Sequence, residues 1–205
     1  MADILENLYR SRATVIEMMD GRGYNMDPYR VYSINEIRMA MDNEDLHMYV
    51  ENSAGGHALI YYHIGKFSKS EIEKVMKEKT NEHSSTRLYP GDEIIFIVSD
   101  PVSENIEKAT KTKMEGVFMQ VFCLANLVVN YTKHVLVPRH RKVPEEEHAA
   151  LLKSLHVASK TSMASIKYND DVIGKFIGLK PGDIVEILRK SETAGEYLYY
   201  RHCVL

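Results

Sequence analysis

The feature that most constrains this 205-residue chain is a continuous apolar run, Ile94-Ile95-Phe96-Ile97-Val98, which follows Glu93. An unbroken run of this length is typical of a strand that is buried on both faces of a sheet. The sequence around it alternates between helix-like and strand-like patterns, as expected when helices cover such a sheet. The first part of the chain is therefore predicted to be an α/β module with a mixed sheet.

Local signals predict the other elements of this module. Apolar residues at helical spacing predict a helix over 4–19, with Gly21 and Gly23 as its stop. Two further helices are expected after segments of capping-box form, Ser33-Ile34-Asn35-Glu36 and Ser68-Lys69-Ser70-Glu71. Asp100 and Pro101 are predicted to cap and begin another. Strands are expected at four more places: 46–51, 57–64, 117–122 and 127–131.

The pattern changes from about His134, and we place a domain boundary there, between residues 1–133 and 134–205. Val135-Leu136-Val137 is predicted to be short and extended, and Pro144 followed by three glutamates is a strong helix start. A further short helix is expected from Asn169 to Phe176. The chain then reads as a β-hairpin of 184–188 and 197–205 around a glycine-containing loop. The second module is therefore predicted to be a small α+β domain that ends in a hairpin.

Composition excludes several classes of function. With 26 basic and 29 acidic residues the net charge is −3, so no global positive field attracts nucleic acid. Residues 1–133 carry 15 basic and 20 acidic side chains, whereas 134–205 carry 11 and 9. No apolar run approaches the roughly 20 residues of a membrane span, and the start lacks signal-peptide features. Cys123 and Cys203 are expected to be buried free thiols in a reducing compartment.

Catalytic and metal-binding patterns are weak. The nine histidines lack the spacing of a metal site, and no common nucleotide-binding or hydrolase motif is present, so we expect no catalytic residue, metal, cofactor or small-molecule substrate. A metal-dependent nuclease in the α/β half is one alternative, with Asp92, Glu93 and Asp100 as possible ligands. The lysine that would complete such a site is missing from that neighbourhood, which disfavours catalysis.

A free-standing nucleic-acid-binding protein is the second alternative. It would require a basic stripe, and Arg139-His140-Arg141-Lys142 is the one candidate. A solvated linker is the favoured interpretation of these four residues.

The C-terminal segment from Leu179 to Arg201, with Arg189-Lys190-Ser191-Glu192-Thr193 at its centre, resembles a family signature. The family is the fifth subunit shared by the eukaryotic nuclear RNA polymerases, whose C-terminal part corresponds to a small component of the archaeal polymerase. The segment His134 to His140 is similar to the start of that module. Arg22-Gly23-Tyr24 resembles the turn that ends the family's first helix, so the resemblance extends over the whole chain and is strongest over 134–205.

The resemblance implies a non-catalytic subunit of a DNA-directed RNA polymerase. The C-terminal module would dock on the largest subunit, among other polymerase subunits, and the N-terminal module would help to form a jaw around downstream duplex DNA. The residues that match the family's signature and would form the interface are Pro138, Arg189, Lys190, Ser191, Glu192, Thr193, Gly195, Tyr200 and Arg201. Pro101 and Ser103 would lie near the DNA, although Asp100 adds a carboxylate there.

The divergent first half and the 11 methionines suggest the polymerase of a large cytoplasmic DNA virus, such as the asfiviruses. The implied location is intracellular: the nucleus for a cellular protein, or the host cytoplasm and the virion for a viral one.

Overall fold

The computed structural model of the chain describes residues 2–81, 84, 86–111, 116–168, 170–193 and 195–205. They form two compact units, Met1–Val129 and Asn130–Leu205. This division falls four residues before the boundary expected from the sequence. Each unit contains one four-stranded sheet.

The first unit is an α/β fold with a mixed sheet, as predicted. Its helices and strands are α1 (Ala2–Gly21), α2 (Ile34–Asp42), β1 (Met48–Glu51), β2 (His57–His63), α3 (Lys69–Lys79), β3 (Glu93–Val98), α4 (Glu104–Lys111) and β4 (Phe118–Cys123). The strand order is β1-β2-β3-β4. The β1 strand is antiparallel to β2, whereas β2, β3 and β4 are parallel to one another.

The core of this unit is built around β3. Phe96 in the middle of the strand is 0% exposed, and it packs with the inner residues of α3, Ile72, Val75 and Met76. Those three residues are the apolar stripe expected from the helical spacing. Methionine is unusually common in the interior of the unit. Six methionines are buried: Met18, Met19, Met26, Met48, Met76 and Met119.

The helix starts agree only in part with the sequence. The capping box of α2 is confirmed: Ser33 Oγ accepts from the Glu36 N–H at 3.2 Å, and the Ser33 N–H donates to the Glu36 carboxylate at 2.5 Å. The Ser68 side chain makes no cap bond to α3. Asp100 and Pro101 do not begin α4, because its first helical bond runs from the Glu107 N–H to the Ser103 carbonyl, at 3.1 Å.

The predicted strand over 127–131 is wrong. Leu124–Leu127 and Tyr131–Lys133 are short 3-10 turns. Burial of Leu124 and Leu127 accounts for the apolar pattern that suggested a strand. The second turn is capped by Asn130, whose side-chain oxygen accepts from the Thr132 N–H at 2.9 Å.

The second unit is an α+β fold that ends in a hairpin, as predicted. Its elements are β5 (Arg139–Val143), α5 (Glu145–Ser154), β6 (Ala164–Lys167), α6 (Val172–Phe176), β7 (Ile184–Ser191) and β8 (Gly195–Val204). The strand order is β5-β7-β8-β6. The β7 strand pairs antiparallel with both β5 and β8, whereas β6 runs parallel to β8.

Three predictions for this unit need correction. The segment Val135-Leu136-Val137 is a turn rather than an extended strand, with the Val137 N–H donating to the His134 carbonyl. The four basic residues from Arg139 are not a linker, because they form most of β5. The β6 strand was not predicted. The expected start of the α6 helix, Asn169, lies outside the described residues.

Both cysteines are free thiols, Cys203 buried and Cys123 half-buried. Burial raises the pKa of Cys203 to about 12, so this thiol is unreactive at neutral pH. Within the described ranges, the helices are too short or too polar to cross a membrane.

Candidate partner interface on the terminal hairpin

The hairpin of β7 and β8 presents two different faces. The strand register pairs Ile184 with His202 at the base and Ser191 with Gly195 at the tip. Successive side chains of a strand point to opposite faces, so odd-numbered residues share one face and even-numbered residues the other. We call the surface formed by Arg189, Tyr199 and Arg201 the open face. The surface formed by Arg141, Glu186 and Tyr200 is called the paired face.

The paired face is electrostatically complete. Arg141 of β5 donates from Nε to Glu186 Oε1 at 3.0 Å and from Nη2 to Oε2 at 3.3 Å. Tyr200 Oη donates to the same carboxylate at 3.0 Å. The Arg141 hydrogen bond, helped by that of Tyr200, holds the pKa of Glu186 below its ordinary value despite partial burial. The carboxylate and the guanidinium therefore satisfy each other within the fold.

The open face begins at a small buried cluster and continues toward the tip. The members of the cluster are Ile166, Tyr168, Leu179, Val185, Ile187 and Cys203. Tyr199 packs against this cluster and is half-buried. The guanidinium carbon of Arg189 lies 4.4 Å from the centroid of the Tyr199 ring, and that of Arg201 lies 5.6 Å from it. Two cations therefore flank one aromatic ring.

The charges of the open face are not neutralised within the described part of the chain. There, no carboxylate lies within 4.0 Å of a nitrogen of Arg189 or Arg201. Arg201 Nη1 donates a long bond to the Ser165 carbonyl, at 3.4 Å. Its Nε is buried and finds no acceptor among the described residues.

The tip of the hairpin explains several signature residues by local structure. Ser191 Oγ lies 3.2 Å from Thr193 Oγ1 and accepts from the Thr193 N–H at 3.4 Å. Gly195 has φ +72°, a backbone conformation that favours glycine. Ser191, Thr193 and Gly195 therefore shape the turn, and Ala194 between them lies outside the described residues.

The remaining predicted interface residues are divided between surfaces. Lys190 and Glu192 are exposed near the tip, and Lys190 lies opposite Glu196 on the same side as the paired face. Tyr200 belongs to the paired face. The nine predicted residues are therefore close in the fold, but they do not form one surface. Tyr199, which is central to the open face, was not among them.

Pro138 lies at the start of β5. Its carbonyl is 2.7 Å from Nδ1 of His140, and the register pairs the next residue, Arg139, with Leu188. Pro138 is therefore brought toward the Arg189 end of β7. The turn before it exposes two apolar side chains, with Val135 at 89% and Leu136 at 82% exposure.

The two DNA-proximal residues predicted in the first unit are both exposed. Pro101 and Ser103 lie in the loop between β3 and α4. This loop is joined to the loop that follows β2 by a hydrogen bond from the Gly65 N–H to Ser99 Oγ, at 2.9 Å. The two loops form one edge of the sheet, because carboxyl ends of parallel strands lie together.

The residues of the nuclease alternative are engaged in the fold and do not converge. Asp92 accepts from the His57 N–H at 2.8 Å and from the Tyr89 N–H at 2.7 Å. Glu93 pairs with Arg22 at 2.8 Å. Asp100 follows the opposite end of β3, roughly 17–20 Å away for a strand of this size. The described residues contain no group of three or more metal-ligating side chains suited to an ion.

The basic candidate stretch does not form a positive stripe. Arg141 is bonded to Glu186, and Lys142 Nζ lies 2.7 Å from the Asp183 carboxylate. Neighbouring residues of the stretch also alternate between the two faces of the sheet. Two of its three permanent cations are therefore neutralised locally.

The fold and the hairpin define the class of protein: a two-unit chain whose second unit resembles a docking module, with cations and apolar groups left on its surface. The family model for the RNA polymerase Rpb5 C-terminal domain matches residues 129–203. Rpo5, a DNA-directed RNA polymerase subunit of Pyrococcus abyssi, is 51% identical over 72 residues, which are 35% of this chain and 85% of that relative.

Longer relatives match the whole chain. The rpabc1 subunit of DNA-directed RNA polymerases I, II and III from Dictyostelium discoideum is 27% identical over 210 residues and 100% of both chains. The corresponding RPABC1 subunit of Caenorhabditis elegans is 26% identical over 206 residues, covering 95% of this chain and 94% of the relative. The chain belongs to the Rpb5/Rpo5 family of RNA polymerase subunits. The resemblance noted in the sequence is confirmed, and the family comprises structural rather than catalytic subunits.

Proposed function

We propose that this chain is the non-catalytic subunit through which one part of a DNA-directed RNA polymerase is held to its largest subunit. The archaeal relatives carry this proposal. They are polymerase subunits, although most of their length corresponds to only 35% of this chain. A unit of this size is thus sufficient for membership of a polymerase, and we assign docking to Asn130–Leu205, which contains the match to the family's C-terminal domain.

The docking surface that we propose is centred on the open face of the hairpin and on Pro138. Arginine and tyrosine are the residues most often found at the centre of protein interfaces. The exposed Val135 and Leu136 next to Pro138 add apolar area that a partner could cover. Lys190 and Glu192 would lie at the polar rim.

The test is affinity purification of the tagged full-length chain from its native source, with its partners identified by mass. The largest polymerase subunit is the expected partner. Arg189→Glu or Arg201→Glu should cost about 2 kcal/mol or more in association, roughly 30-fold in affinity, because each change places a carboxylate where a cation faces the partner. Arg10→Glu is the matched control, since Arg10 lies on α1 and is paired only with the exposed Glu6.

Wild-type chain without polymerase subunits would reject the proposal. Retention of both hairpin variants at wild-type level, with circular dichroism confirming their fold, would reject the assignment of the interface.

We assign the first unit to a jaw beside downstream duplex DNA, with the edge that carries Pro101 and Ser103 toward the DNA. Acidic side chains at this edge, Asp100 and Glu104, oppose phosphate approach by the lone chain. The isolated protein should therefore bind duplex DNA weakly and less tightly as salt rises, and contact should depend on the assembled enzyme.

A photo-crosslinker at position 103 tests the jaw assignment. It should label downstream duplex in the assembled polymerase, whereas the same probe at position 10 should not. Equal labelling from both positions, or sub-micromolar duplex binding by the lone chain, would contradict the assignment.

The separation into a jaw and an assembly domain also predicts that a fragment of residues 130–205 folds by itself. Its length is close to the ~70 residues at which a single core becomes sufficient. Chemical denaturation should give a cooperative transition, and a featureless one would reject the boundary. We place the protein inside the cell, in a reducing compartment, and its viral source stays a prediction.

A further inference from the structure

We propose that the open face is a carboxylate-binding site, which receives aspartate or glutamate side chains from the partner subunit. The proposal rests on the proposed function, since it specifies the chemistry of the surface that the hairpin meets. The observation that carries it is the arrangement of Arg189, Tyr199 and Arg201 without an acidic partner among the described residues.

Tyr199 prepares the two guanidinium groups for such a ligand. Its ring is fixed against the buried cluster, so it provides a stable surface for Arg189 at 4.4 Å. A guanidinium stacked on an aromatic face keeps the N–H donors of its edge free. A planar carboxylate accepts two of these donors side by side, which gives strong and geometrically specific hydrogen bonds.

Arg201 adds a second donor group that is only partly used. Its Nη1 makes the long bond to the Ser165 carbonyl, and its buried Nε has no acceptor among the described residues. A buried donor without an acceptor costs free energy that a suitable ligand oxygen would recover. Both arginines therefore offer donors on the same face of the hairpin.

The paired face of the same sheet shows what this environment does with a guanidinium when a carboxylate is present. Arg141 binds both oxygens of Glu186, at 3.0 and 3.3 Å, and Tyr200 completes the site. The open face has the arginines and the tyrosine, but the described residues place no counterpart of Glu186 beside them. The partner would supply it.

A protein carboxylate fits better than the phosphates of a nucleic acid. Duplex binding relies on several phosphate contacts at once, and the open face offers two cations. Glu192 and Glu196, both exposed near the tip, would repel a polyanion that extends along the hairpin. An isolated carboxylate can enter between the two guanidiniums without approaching the tip.

The test measures how salt affects retention of the tagged full-length chain on the polymerase, washed at increasing potassium chloride. Wild-type retention should fall as salt rises, because charge pairing is screened. Arg189→Gln and Arg201→Gln should weaken retention at low salt at least tenfold and leave it nearly independent of salt. Arg189→Lys should recover part of the loss, since it restores the charge without the planar fork.

Arg141→Gln is the matched control, because this guanidinium is already paired within the chain, and it should retain wild-type salt dependence. Gln variants that bind as well as wild type, or that keep its salt dependence, would overturn the carboxylate site while leaving the docking function intact. Release of wild-type chain by excess duplex oligonucleotide would identify a phosphate site instead and would also overturn it. Wild-type chain that is not retained at all would overturn both proposals.

Discussion

The two units treat arginine differently. Arg22 in the first unit has a side chain that is 3% exposed, and it bonds Glu93 at 2.8 Å and Gln120 at 2.7 Å. In the second unit, Arg189 and Arg201 are half-exposed around Tyr199. A guanidinium removed from water must be compensated within its own fold, whereas one at the surface can be compensated by another protein. The first unit thus completes its electrostatics internally, and the second leaves part of them to a partner.

The largest effect is expected where the first unit depends on packing alone. Phe96→Ala should lower the free energy of unfolding by about 3–5 kcal/mol, because it leaves a cavity beside fully buried neighbours. Denaturant titration would measure the loss. Leu198→Ala is the control, since Leu198 is 50% exposed on the hairpin, and it should cost far less. Similar losses for both would contradict the contrast in packing.

The buried ion pair gives the next effect. Arg22→Met should destabilise the protein by about 3 kcal/mol, because it leaves the Glu93 carboxylate, only 12% exposed, without its counter-charge. Arg10→Met removes an exposed pair with Glu6 and should change stability by less than about 1 kcal/mol. The comparison between units would fail if the two variants unfolded at the same denaturant concentration.

The hairpin turn gives a smaller effect that separates stability from binding. Gly195→Ala should cost about 1–2 kcal/mol of stability, because an L side chain is strained at φ +72° even though nothing crowds the added carbon. Association with the polymerase, measured by co-purification, should stay close to wild type. A loss of association larger than the loss of stability would place Gly195 in the interface itself.

The smallest effect depends on pH. Glu186 has a lowered pKa in the folded protein, so its contribution is fully present above the unfolded carboxyl pKa of about 4.3 and disappears as pH falls through the folded value. Tyr200→Phe removes one cause of that lowering. It should cost a few tenths of a kcal/mol at pH 7 and less in acid below that window. Tyr197→Phe, on the other face, is the control, and a pH-independent loss for Tyr200→Phe would contradict this role.

Elements governed by neighbouring residues were predictable from the sequence. The Ser33 and Glu36 capping box and the inner stripe of α3 depend on contacts within four residues, so the pattern is sufficient. The β5 strand was missed for the opposite reason. It lies at the edge of the sheet, only Val143 among its residues is buried, and its ion pair with Glu186 spans 45 positions. Charged residues on an edge strand resemble a linker until the pairing strand is known.

The interface was predicted in place but not in arrangement. The family signature groups Lys190 and Tyr200 with Arg189 and Arg201, although strand alternation separates them onto two faces. Alternation within the hairpin could have brought Tyr199 together with the two arginines, because all three are odd-numbered. The lack of an acidic neighbour could not be predicted, since it depends on how the surrounding elements pack.

The six buried methionines of the first unit have an evolutionary consequence. An unbranched thioether chain bends to fill irregular space, so a neighbouring residue can change in size without leaving a void. Such an interior tolerates successive replacements as long as total volume is kept. The guanidinium forks of the hairpin have no comparable freedom, because lysine cannot reproduce their geometry. Within one gene, the first unit is therefore free to drift in sequence while the hairpin is held nearly constant.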